Sequence, residues 1–378
     1  MDVSFGIVAQ VLKWLGFDDD LRIWWRTQRA RLGRPKTFDN MPELRYGRLA
    51  ITDWVVLEGV FPEGIIIQAL VDEDIKLRLP PALEVHREHF IELNNTHIAR
   101  KAKRTYYNGP FVPMTSFFSQ RSADKHERPI FHIHAAVSGY FDYVSVIADL
   151  DSPLHGGTGT VRDNFFKDWS GEVSSELPVM GCPGLTLAVI TRDQFVILVR
   201  RSRSVSVAPG AWHCSVDEGV RPEDVVDGAV DYERVALRGM ETELGIKKEQ
   251  VVGRPVITSM GYSRRLCQYG AIGHAFLNIH LHTLMDALPL AKQGRENEAW
   301  KAIPFTPKSL SKEFKRMVKS GDPAIPSFGL ATLIMALHAS KHVKDIRTIN
   351  ARFEDEVFAS GALVYPSNVN PPNVKAFG

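Results

Sequence analysis

Three cysteines in 378 residues, Cys182, Cys214 and Cys267, lie far apart and form no C-x-x-C pair. That usage fits a reducing compartment better than a disulfide framework, so a cytoplasmic location is expected. Long apolar runs are missing as well: the stretch 3–17 is broken by Gln10 and Lys13 and is too short to span a bilayer. Its positive charges follow rather than precede it, so neither a signal peptide nor a membrane-spanning helix is expected. Charge of one sign is also scarce, because 46 Lys and Arg against 44 Asp and Glu leave a net charge of +2. Nothing in that balance selects a polyanionic partner, and without aromatic interleaving nucleic acid is not expected. No internal repeat or low-complexity tract is present. Gly156-Gly-Thr-Gly159 lacks both the G-x-x-x-x-G-K-[ST] spacing and a preceding strand, so it is a loop, not a phosphate cradle.

What is there is an ordinary globular composition, 44% hydrophobic and 24% charged, long enough for two domains or one well-decorated domain. Residues 18–31 begin acidic and end basic, as a helix dipole favours. Short β-type runs between Tyr46 and Leu79, among them 54–57 and 65–67, predict a small sheet. A helix follows over 84–104 and ends in Arg100, Lys101, Lys103 and Arg104, which read as a solvated helix end. Strands are expected at 111–118 and 129–137 and a helix over 139–150. The Gly-, Ser- and Pro-rich stretch 152–184 is the expected linker, separating an N-terminal α+β domain over 1–170 from a second domain over 180–305. Helices over 306–345 pack on that domain, with starts at Thr306-Pro307 and Ser327. The tail over 350–378 is either ordered along the surface or disordered.

The chemistry concentrates between Leu185 and Ile246. Residues 185–190 and 195–199 are apolar strands around the turn Thr191-Arg-Asp-Gln194, and the second ends in Arg200 and Arg201. A loop over 208–212 and a carboxylate-rich segment lead into an amphipathic helix over 231–244, with apolar Val235, Leu237, Met240 and Leu244 and a stop at Gly245. Residues 271–282 read as a further strand. Two pairs, His132-Ile-His134 and His280-Leu-His282, would bind zinc only if both lay on neighbouring strands.

The helix end Arg238-Gly-Met-Glu-Thr-Glu-Leu-Gly-Ile246 resembles the second half of the Nudix box, G-x5-E-x7-R-E-U-x-E-E-x-G-U with U aliphatic. Arg238, Met240, Glu243, Gly245 and Ile246 match it, while Gly239 and Thr242 stand where the family has glutamates. Positions 239, 242 and 243 share a helix face, and Glu241 lies about 200° round from Glu243, so it does not replace what Thr242 lacks. Glycine inside a helix costs roughly 1 kcal/mol against alanine, so Gly239 needs a reason, and close packing against the loop at Pro209-Gly210 is expected.

The resemblance implies an α/β fold, a Nudix-type α/β/α sandwich with a mixed sheet behind the N-terminal α+β domain. Residues 195–210, together with Tyr140-Phe-Asp142, are similar to Nudix proteins that hydrolyse UDP-sugars. The implied activity is cleavage of the pyrophosphate bond of a nucleoside diphosphate linked to another group, by water activated on Mg²⁺ or Mn²⁺. Glu243, Glu218 and Glu298 are the candidate metal ligands. Glu243, Glu298 and Arg238 are the candidate catalytic residues, with Glu298 of Glu296-x-Glu298-x-Trp300 as base. Arg200, Arg201, Trp212 and Tyr140 are candidates to bind the nucleotide or nucleotide sugar. No membrane partner is implied, and a homodimer is compatible with this reading. The alternative is a Nudix-like domain that binds the nucleotide without cleaving it, as sensor or interaction module.

Overall fold

The computed structural model describes residues 44–46, 49–51 and, with short gaps, 54–339. The stretch 3–17, the helix expected over 18–31, the basic cluster at 100–104, Ala208, Pro209, Glu296 and the tail after 350 lie outside the described residues.

After a hairpin of β1 (Leu44–Tyr46) and β2 (Leu49–Ile51), the chain builds two main sheets. The smaller comprises β4 (Ile66–Asp72), β6 (Met114–Arg121), β7 (Pro129–Ala136), β13 (Val225–Val226) and β14 (Ala229–Val230), in the order β13-β14-β4-β7-β6. The larger comprises β3 (Val55–Leu57), β9 (Gly184–Ile190), β10 (Phe195–Arg201), β11 (Trp212–His213), β12 (Val216–Glu218), β15 (Val256–Ser263), β16 (Gln268–Phe276) and β17 (Asn297–Pro304). Its order is β11-β10-β9-β16-β15-β3, with β12 also on β9 and β17 on β10. The pairing of β9 with β16 is parallel and the other pairings are antiparallel, which makes the sheet mixed. A two-residue pair, β5 (Pro110–Phe111) with β8 (Ser138–Gly139), stands beside them.

The continuous apolar runs of β9 and β10 are explained by burial on both faces. Leu185, Leu187, Ile197 and Val199 pack with Val235, Met240 and Leu244 of helix α4 (Tyr232–Leu244). On the opposite face, Ala188, Ile190, Val196 and Leu198 pack with Leu310 and Phe314 of α6 (Pro307–Ser320) and Leu333 and Leu337 of α7 (Ser327–Ala339). Helices therefore cover both faces, and the chain is α/β. The remaining helices are α1 (Pro81–Ala99), α2 (Tyr140–Ile147), α3 (Val161–Phe165) and α5 (Leu281–Ala287).

The two sheets trade strands. Strand β3, which precedes β4 in sequence, joins β15 of the larger sheet, while the β13-β14 hairpin, from the segment between β12 and α4, extends the smaller sheet at β4. A single buried cluster accordingly runs from Leu83, Phe131 and Ile133 through to Leu185 and Met240. The runs at 54–57 and 65–67, expected in one small sheet, are divided between the two because Trp54 and its neighbours follow β15. The strand expected over 271–282 ends at Phe276, and His280 is the N-cap of α5. His132 and His134 belong to β7 of the other sheet, so the neighbouring-strand condition for zinc is not met. No helix among the described residues is long and apolar enough to cross a membrane.

Candidate functional site

Helix α4 starts where the sequence places it. The Asp231 carboxylate accepts the N–H groups of Glu233 at 2.9 Å and Arg234 at 3.1 Å, satisfying two of the helix's otherwise orphaned donors. At the other end Gly245 adopts φ 70° and donates its N–H to the Glu241 carbonyl, closing the helix with a left-handed residue. Between them Gly239 faces β12. A Cβ at 239 would lie 2.6 Å from Val216 Cγ1 and 3.0 Å from Glu218 Cβ. The close packing expected of Gly239 is therefore present, and the nearest atoms among the described residues belong to β12; Pro209 lies outside the described residues.

That seating brings the helix turn against a chain of charges. Glu243 Oε1 accepts the Asp217 N–H at 3.1 Å, and Asp217 Oδ2 takes Arg201 Nη1 at 2.7 Å. Thr186 Oγ1 donates to Asp217 Oδ1 at 3.2 Å, and His213 Nε2 stands 3.8 Å from Oδ2. Alongside, Glu218 is held by Arg238 Nη1 at 2.9 Å and Arg221 Nη2 at 3.2 Å. Arg238 also forks onto Asp224, with Nε to Oδ1 at 3.0 Å and Nη2 to Oδ2 at 2.6 Å, and donates to the Gly219 carbonyl at 2.7 Å. Thr242 Oγ1 turns back on its own helix, donating to the Arg238 carbonyl at 2.8 Å.

Burial pushes the Glu243 carboxyl up to about 8, with the charges of Asp217 and Glu218 adding to it. Burial opposes the Asp217 charge too, yet His213 and Arg201 hold that carboxyl below its ordinary value. Because burial brings His213 down to about 4, the imidazole is neutral near pH 7, and Arg201 is the cation that matters there. The Glu243 shift has a signed consequence for stability. The folded protein binds one proton more than the unfolded chain between the ordinary carboxyl value and about 8, so this group favours folding in acid and loses that contribution as pH rises across the interval. Glu243→Gln, whose amide oxygen can still accept the Asp217 N–H, is expected to remove a fall in stability on the order of 3 kcal/mol between pH 5 and 8. Urea melts from pH 5 to 8 check this, and parallel curves for both proteins would refute it.

Of the residues expected at the site, Glu243, Glu218, Arg238 and Arg201 are brought together. Arg200 lies opposite Trp212 in the ladder, and its Nε donates to the Gly210 carbonyl at 3.3 Å. Trp212 is buried in the α7-side core with Lys301 Nζ 5.0 Å from its ring centroid. Tyr140 opens α2 and packs near Phe111 and Tyr143. Burial pushes the neighbouring Tyr143 hydroxyl up, with the charges of Tyr140 and Asp217 adding to the effect, and Gln268 Nε2 donates to it. Glu298 is exposed on β17 and accepts the Arg203 N–H at 2.9 Å. None of its contacts among the described residues reaches Glu243. Asp217, Asp224 and His213 belong to the cluster without being singled out by the sequence. A signal for the first existed in the alternation Val216-Asp-Glu218, where one carboxylate must face away from the other.

Mg²⁺ needs several convergent oxygen donors. Among the described residues no group of three or more His, Cys, Asp or Glu is arranged to hold a metal ion. The donor chemistry agrees: Glu218 is shared by two guanidinium groups, Glu243 accepts the Asp217 N–H, and Glu298 caps a backbone amide. These residues do not fit the ion.

No family model matches the chain, and no curated protein does. Among solved structures it is similar to DR0079 from Deinococcus radiodurans at 15% identity and a TM-score of 0.28, over 40% of this chain and 81% of that one. A likeness of that extent carries no argument.

Proposed function

We propose that this chain binds a nucleoside diphosphate linked to another group beside the α4 helix and holds it without cleaving it, as a Nudix-like sensor or interaction module. The observation that carries the reading is the seat of Gly239. Helix α4 lies so close to β12 that position 239, where the resembled family has a glutamate, has no room for a Cβ. Thr242, at the second such position, spends its hydroxyl on the helix backbone. Both places that would carry metal-binding carboxylates serve packing instead. The arrangement of helix turn, Asp217 and the basic end of β10 supports a diphosphate ligand, since Arg201 is joined to Glu243 through one residue.

A hydrolytic reading is favoured by one observation, that Glu243 titrates to about 8 and so exchanges a proton near neutrality. Incubation with UDP-glucose, ADP-ribose and GDP-mannose in Mg²⁺ or Mn²⁺ separates the two. A raised melting temperature without released nucleoside monophosphate is the expected result. Monophosphate release that Glu243→Gln abolishes would establish hydrolysis, and no thermal shift with any of the three would remove the nucleotide reading.

A further inference from the structure

Among the described residues, the smaller sheet is covered on one face only. Ala69, Val71, Phe131 and Ile133 point to the side that packs with Leu83 of α1 and Val146 of α2. Alternate residues point the other way, and the ladder sets Leu70 beside His134 and Ser116, and Gln68 beside His132 and Phe118. The β13-β14 hairpin brings Val226 to the same side, through Ala229 on Leu70. Leu70, Phe118 and Val226 belong to neither apolar core. Leu70 and Phe118 are each 51% exposed and Val226 40%. Phe118 lies flat against His132, with ring centroids 4.6 Å apart at 13°, so the middle of the face is already ordered.

A sheet face turned to water ordinarily carries charged side chains, and this one does not. Along β4, β7 and β6 its alternate positions hold no Lys, Arg or Glu, and Asp72 at the end of β4 is the one carboxylate. The central pair, β4 with β7, is parallel, and strands so paired are usually covered on both faces. Depletion of charge around apolar and aromatic side chains marks the middle of an interface, not a solvated surface. The chemistry also says what fits. A face with neither sign of charge has nothing to complement in a charged partner and matches another like itself. We propose that this face packs on the same face of a second copy of the chain, sheet on sheet about a two-fold axis. The size sets the strength. Strands β4, β7 and β6 run seven, eight and eight residues. At about 3.3 Å per residue and 4.8 Å between strands they offer roughly 370 Å² of flat face, which the hairpin and side-chain relief enlarge. Two copies then bury about 1,000 Å² in all, the lower end for a specific interface, so the pair is a micromolar dimer. The inference is independent of the nucleotide reading.

Sedimentation equilibrium of the full chain, without nucleotide and from about 1 to 200 μM, spans the range in which such a dimer forms. A concentration-dependent monomer–dimer equilibrium is the expected result. Leu70→Glu and Ser116→Glu each add a carboxylate to the face, and the symmetry enters it twice. Each is expected to weaken the dimer roughly tenfold or more, since like charges brought together across an interface are costly. Val252→Glu, at a side chain 54% exposed away from this sheet, should leave the equilibrium unchanged. Both face positions are exposed, so both variants should fold, circular dichroism checks that they do, and either one decides the matter. A dimer that neither variant weakens would use another surface and overturn the inference. A chain that stays monomeric at the highest concentration would overturn it as well, and the melting temperature of Leu70→Glu then says why. A fall of several degrees would mean that the chain's own remaining residues cover the face, and no change would mean that water does.

Discussion

Arg238→Ala is expected to cost roughly 3–5 kcal/mol, the usual consequence of removing one partner from a buried ionic group. Asp224 has no exposed side-chain surface and Glu218 only 9%, and one guanidinium serves both. Its loss leaves two carboxylates in the interior, with Arg221 on Glu218 and the Arg221 N–H on Asp224 as the remaining compensation. The planar fork is what spans them, so Arg238→Lys recovers only a part, because a point charge cannot satisfy two oxygens of Asp224 and one of Glu218 together. The deficit should be sub-additive with Asp224→Asn, which removes one of the stranded charges. Denaturant midpoints of the three variants and the double variant provide the check. A fully additive cycle, or a cost under about 1 kcal/mol, would mean that Arg238 sits on a surface and does not hold this loop.

Local signals made the larger sheet and its helix legible, and non-local ones hid the rest. The runs 185–190 and 195–199 and the helix with its Asp231 and Gly245 ends stand at β9, β10 and α4 because periodicity and capping act within a few residues. The strand exchange was invisible, since nothing in Val55-Val-Leu57 says that its partner is Tyr262 and not Ile66. The same limit applies at the site. Arg201 and Glu243 announce themselves by type and position, but Asp217, which joins them, is one carboxylate among several in a segment whose turns set its direction. His213 reads as an ordinary core residue until the ladder puts it within 3.8 Å of that carboxylate. Glu298 shows the converse, a residue whose spacing suggested chemistry and whose side chain caps Arg203.

Gly239→Glu would put the carboxylate of the resembled box into this helix, and it is expected to destabilise the fold by about 3 kcal/mol without producing hydrolysis. The competing contributions can be separated. Alanine at an interior helix position is favoured over glycine by roughly 1 kcal/mol, so a helix with open space at 239 would gain from Gly239→Ala. Here the new Cβ would stand 2.6 Å from Val216 Cγ1, and Val216 is fully buried against Leu185 and Leu187 with nowhere to retreat. Overpacking of that kind costs about 1–3 kcal/mol, enough to reverse the sign for alanine, and a glutamate adds a charged end that would need to be desolvated beside Glu218. Val216→Ala should relieve Gly239→Ala more than it relieves the wild-type residue, giving a favourable coupling energy in a double-variant cycle. Chemical denaturation measures the first expectation, and monophosphate release from UDP-glucose in Mg²⁺ measures the second. A Gly239→Glu protein that is as stable as the parent and turns over substrate would show that the helix can lift off β12. It would also show that the carboxylate set had been waiting for one residue, and the non-hydrolytic reading would then have to be abandoned.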